Sequence, residues 1–135
     1  MDCEVVSIDL LKNDTETLKA ELRIYEEDPH NRDNVLLEIS FKTKIISKSA
    51  EDFFSALQEI RKELEKEKIL LLCNGSAENV YPSPMQRNGS KAYILESGCP
   101  AKLSNVVDIF DRLDSLIPVS VEAQENFYAK WLKSL

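Results

Sequence analysis

Residues 17–26 alternate strictly: Leu18, Ala20, Leu22 and Ile24 are apolar, with Lys19, Glu21, Arg23 and Tyr25 between them. Period two marks a strand with one buried face and one wet face. Such a strand needs partners along its edges and a layer over its apolar side. The flanking sequence offers both. Residues 3–11 (CEVVSIDLL) are rich in Val, Ile and Leu and read as a strand, joined to 17–26 through the turn residues Asn13 and Asp14. After a polar loop, EEDPHNRDN at 26–34, residues 35–46 alternate again, with Leu37, Ile39 and Phe41 on one side. These segments predict an antiparallel meander.

The covering layer follows. Ser49 precedes AEDFFSALQEIRKELEKEK, where Phe53, Leu57, Ile60 and Leu64 recur at spacings of four, three and four. That is the stripe of an amphipathic helix over about 50–67, with Ser49 as its cap and Glu51 and Asp52 in its first turn. Residues 69–73 (ILLLC) are too short for a helix and read as a central strand buried on both faces. A turn-rich stretch, 74–90, leads to a strand at 91–96. Val106 to Phe110 reads as a last strand, with a helix start as the alternative. Ser120 caps a terminal helix on which Phe127, Tyr128, Trp131, Leu132 and Leu135 share one side and are expected to dock. The expectation is one α+β domain over 1–135. It has an antiparallel or mixed sheet of five or six strands, a helix on one face and a second helix at the C-terminus.

Charge narrows the function classes. The 135 residues carry 17 Lys and Arg against 24 Asp and Glu, a net charge of −7. A phosphate backbone repels such a chain on average, which argues against nucleic acid and favours a basic partner. Cys3, Cys73 and Cys99 are odd in number and form no CxxC pair, so free thiols in a reducing compartment are expected. The acidic start MDCEVVSIDLLKND lacks the basic region of a signal peptide, and no apolar run is long enough to span a bilayer. The expected setting is the cytoplasm, without a membrane partner, as a monomer or weak homodimer.

Residues for catalysis are scarce. His30 is the single histidine and lies in a polar loop. No Ser-His-Asp or Cys-His arrangement, glycine-rich phosphate loop or metal-ligand spacing is present, so neither an enzyme nor a cofactor is expected. Two segments stand out as contact surfaces instead. Glu26, Glu27, Asp28 and Asp33 concentrate negative charge in one loop. Pro82 and Pro84 stiffen a second loop that carries Tyr81, Met85 and Arg87, residue types that interfaces favour.

The stretch LLLCNGSAENVYPSPMQRNGSKAYIL, followed by VVDIFD, resembles a family of small bacterial proteins. Their pattern is a Cys-Asn-Gly segment, an aromatic-Pro-Ser-x-Met turn, an Ala-Tyr strand and a closing Val-Asp-Ile-Phe. Some of them look like immunity proteins of contact-dependent growth-inhibition or other polymorphic toxins. The resemblance covers about residues 53–111. Pro84 stands where that pattern has Gly, and only Asn88-Gly89 remains of a longer Gly-rich run. The resemblance implies a protein that neutralises a toxin domain, typically a nuclease, by covering its active site or blocking substrate access. An adaptor or chaperone-like module and a small carboxylate-dependent enzyme are the alternatives.

Overall fold

A computed structural model describes residues 2–135. Over the described residues the fold is α+β: two helices and eight strands in two antiparallel sheets. The meander is present as β1 (Glu4–Lys12), β2 (Glu16–Tyr25) and β3 (Val35–Phe41), extended by β4 (Lys44–Ala50). With β5 (Ile69–Leu72), the first sheet runs β4-β3-β2-β1-β5. The alternation in β2 sets its register. Leu22 stands opposite Val6 on one side and Ile39 on the other, so all the apolar partners face one way. Asn13 and Asp14 both adopt left-handed backbone (φ 53° and 61°), which short polar side chains tolerate.

Helix α1 (Phe53–Glu65) lies on that apolar face. Leu57, Ile60 and Leu64 join Leu10, Leu22, Leu37 and Ile39 in a fully buried core. The second sheet is small: β6 (Val80–Tyr81), β7 (Lys91–Ile94) and β8 (Val106–Asp108), in that order. Helix α2 (Val121–Ser134) closes the molecule, and Ser120 caps it by accepting from the Ala123 N–H.

Four expectations are corrected. Residues 35–46 form two strands rather than one, because the chain reverses at Lys42–Thr43 with Lys42 at φ 53°. No Asn-Gly or Asp-Gly pair announces that hairpin. Ser49 belongs to β4, and the cap of α1 is Asp52, whose carboxylate accepts from the Ser55 N–H at 2.7 Å. The 69–73 run is an edge strand. Leu70 and Leu72 face the half-open side of the sheet, and among the described residues only β1 pairs with it. On α2, Trp131 alone of the five-residue stripe is buried, while Leu132 and Leu135 stay exposed. Val106–Asp108 is the strand expected there, although the segment breaks before Phe110.

Candidate partner-binding surfaces

One end of the large sheet gathers carboxylates. The loop between β2 and β3 carries Glu26, Glu27, Asp28 and Asp33. The start of β1 brings Asp2 and Glu4 beside the end of β2, with Glu4 opposite Ile24, and the end of β4 brings Glu51. Asp2, Glu27, Pro29 and Arg32 line a common hollow of about 430 Å³. Six of these carboxylates are exposed: Asp2, Glu4, Glu26, Glu27, Asp33 and Glu51. Among the described residues of these three segments Arg32 is the single cationic side chain, and it pairs with Glu27 at 3.3 Å.

Asp28 differs from its neighbours. It is 7 % exposed and serves the loop itself. Its carboxylate accepts from the His30 N–H at 2.9 Å, and its backbone N–H donates to Asn34 O at 2.8 Å. The Ser49 hydroxyl, then the His30 N–H, hold its carboxyl below the ordinary range. Asn34 Nδ2 also donates to Ser49 Oγ, tying the loop to β4. The exposed charges therefore ride on a fixed frame rather than a loose tip.

The Tyr81–Met85–Arg87 segment divides. Met85 is 82 % exposed. Tyr81 and Arg87 instead build a clasp joining the loop to both helices. Tyr81 stacks on Tyr128 of α2 with ring centroids 3.8 Å apart, meets Phe54 of α1 edge-on, and donates its hydroxyl to Glu125 at 3.0 Å. Burial first, then the Glu125 carboxylate, push its phenol up to about 12. Arg87 pairs with Asp52 at 3.3 Å, donates to Ser55 Oγ, and lies over the rings of Phe54 and Tyr81. Gln58 Nε2 donates to the same Glu125 carboxylate at 2.6 Å. The surface that Tyr81 and Arg87 offer is small, because most of each side chain is committed inward.

A second clasp lies deeper. Arg61 of α1 is 2 % exposed and donates to three neutral oxygens: Gln124 Oε1 at 2.6 Å, Val119 O at 2.9 Å and Gly75 O at 3.1 Å. Burial lowers its guanidinium from the ordinary value, yet an arginine keeps its charge. Gln124 is fully buried, and its Nε2 donates to the carbonyls of Gly75, Ala77 and Val80. The Cys-Asn-Gly segment sits in this clasp. Asn74 Nδ2 donates to Asp108 O, Asn74 Oδ1 accepts from the Leu113 N–H, and the Gly75 N–H donates to Ile109 O. A Cβ on Gly75 would stand 2.5 Å from Leu57 Cδ2. Burial raises the Cys73 thiol, which leaves it a packed apolar group. Within this motif, then, the side chains hold the second sheet and α2 onto α1.

Residue types alone point to the acidic loop and to Tyr81. They miss Arg61, Gln124, Glu125 and Asp52. Arg61 left one legible trace: it falls four residues after Leu57 and three before Leu64, on the face that must be buried.

Between the small sheet and α2 runs an apolar groove of about 240 Å³, walled by Tyr81, Tyr93, Leu95, Tyr128, Trp131 and Leu132. Among the described residues, no three His, Cys, Asp or Glu side chains group as metal ligands, and no helix is long and apolar enough to cross a membrane.

These surfaces define an α+β domain with one charged end, a polar-clasped second sheet and an apolar groove beside its last helix. No protein-family model matches the chain, and no curated protein matches it in sequence.

Proposed function

We propose that the protein is an immunity protein: a cytoplasmic, non-catalytic inhibitor that binds a basic toxin domain through its acidic end. The observation that carries this reading is that, among the described residues of this end, six exposed carboxylates are set against one arginine on a fixed frame. Preorganised charge of one sign speeds the encounter with an oppositely charged partner and disfavours wrong ones. It also limits the ordering cost at the interface, because Asp28 and Asn34 already hold the loop. A nuclease active site, which must attract phosphates, is the natural complement. The resemblance over 53–111 to a family of small bacterial proteins, some of which look like immunity proteins, supports the same class. In that case the Cys-Asn-Gly motif acts as scaffold, and the contacts lie outside it.

The test is to read the reading frame next to this gene, co-express its C-terminal domain with the protein, and pull down the two purified proteins. Protection of the host and a stoichiometric complex are expected. A toxin that kills equally with and without the protein overturns the proposal.

A second reading rests on the apolar groove beside the exposed Leu132 and Leu135. Such a groove suits an adaptor that holds an apolar segment of another protein. It predicts that Leu132→Glu abolishes complex formation while reversal of the acidic end leaves it intact.

A further inference from the structure

The chain contains two Asn-Gly pairs, Asn74–Gly75 and Asn88–Gly89. The dipeptide is chemically special. Glycine has no side chain to shield its nitrogen, so that nitrogen can reach the carbonyl carbon of the preceding asparagine side chain. The two pairs are identical as chemistry and opposite as structure.

Asn74 and Gly75 are both buried. Every atom the reaction needs is engaged there. Asn74 Nδ2 donates to Asp108 O at 3.0 Å, Asn74 Oδ1 accepts from the Leu113 N–H at 2.8 Å, and the Gly75 N–H donates to Ile109 O at 2.8 Å. Bringing the asparagine Cγ toward the glycine nitrogen breaks all three bonds inside the core. Asn88 and Gly89 are both exposed, and nothing lies within 4 Å of the place a Cβ on Gly89 would occupy. Among the described residues the Asn88 side chain makes no hydrogen bond. The Gly89 N–H is held only by Gln86 O at 3.1 Å, the closing bond of a single 3₁₀ turn over Gln86–Asn88. Such an isolated turn opens far more readily than the packed core.

We propose that Asn88–Gly89 is a spontaneous deamidation site with water as its co-reactant, and that the fold protects the identical pair at Asn74–Gly75. The deprotonated Gly89 nitrogen attacks Asn88 Cγ, and a new C–N bond forms as the Cγ–Nδ2 bond breaks. The departing nitrogen takes up a proton from solvent and leaves as ammonia. The five-membered succinimide then adds water at either carbonyl and opens to aspartate or isoaspartate. No oxidant or reductant takes part. The product places a new carboxylate next in sequence to Arg87, the residue that bridges this loop to Asp52. The isoaspartate form also lengthens the backbone by one carbon between that bridge and β7. The site thus ages the outer clasp and leaves the buried one alone.

The experiment is incubation of the folded protein in mildly alkaline buffer, followed by ion exchange and peptide mapping by mass. An acidic isoform that maps to Asn88 is expected. Reaction at Asn74 should be slower by about a hundredfold or more, because it waits on opening of the packed segment. In urea the two sites should convert at similar rates. The Asn88→Gln variant should lack the isoform and keep the wild-type Tm. Conversion of Asn74 as fast as Asn88 in the folded protein overturns the inference. So does an Asn88 that reacts in urea but stays an amide in the folded chain, and so does an acidic isoform that persists in Asn88→Gln.

Discussion

Gly75 shows how one missing methyl group can organise a fold. Its α-carbon passes so close to α1 that a Cβ would meet Leu57 Cδ2 at 2.5 Å and Ile109 Cβ at 3.0 Å. Overpacking of a filled core is destabilising. Gly75→Ala should lower stability by about 2 kcal/mol or more in urea titration, whereas Gly89→Ala, with open space around it, should leave the midpoint close to wild type. Gln124 is the complementary case, a polar side chain at the centre of the packing. Gln124→Ala takes one acceptor from Arg61 and one donor from each of the Gly75, Ala77 and Val80 carbonyls, and should cost about 3 kcal/mol. Tyr81 gives the fold a pH limb. Its phenol holds the proton more tightly folded, at about 12, than unfolded, at 10.0. Its contribution is therefore complete below pH 10 and drains away as the pH rises toward 12. Tyr81→Phe should flatten the alkaline arm of a stability–pH curve. Asp28 works in the opposite direction. Its carboxyl is held below the ordinary value, so its contribution is present at neutral pH and lost as acid protonates it, and Asp28→Asn should shallow the acid arm.

The elements that local pattern dictates were the ones legible in the sequence. Strand β2, the stripe of α1 and the Ser120 cap of α2 are all written in period and end-residue chemistry. What escaped depends on partners distant in the chain. The Lys42–Thr43 hairpin has no glycine to announce it, since β3 and β4 are held by cross-strand pairs such as Ile39 with Ile46. The edge position of β5 follows from the order of strands, which periodicity does not encode. The same limit applied to the candidate sites. The sequence located the acidic loop but did not reveal that Asp28 turns inward, nor that Tyr81 and Arg87 serve a clasp whose other half lies on α1 and α2. The true caps give a test at this scale. Ser120→Ala should cost about 1 kcal/mol. Asp52→Ala should cost more, because Asp52 caps α1 and also holds Arg87. Ser49→Ala should not alter α1 helicity in circular dichroism.

For the whole molecule, scaffold and surface separate. Buried polar groups, Arg61, Gln124 and Asn74 among them, are spent on joining two sheets and two helices. Negative charge is left over at one end of the large sheet, on backbone that Asp28 and Ser49 hold still. A molecule of this design can act through its exterior and needs no moving part to do so. Titration calorimetry against the toxin domain proposed as its partner, over a series of salt concentrations, tests that claim most directly. It should compare the native protein with the triple variant Glu26→Lys, Glu27→Lys, Asp33→Lys. The expected result is affinity weakened by about a hundredfold or more at low salt, with a much shallower salt dependence. A variant that binds as tightly as the native protein, with an unchanged salt slope, would contradict it.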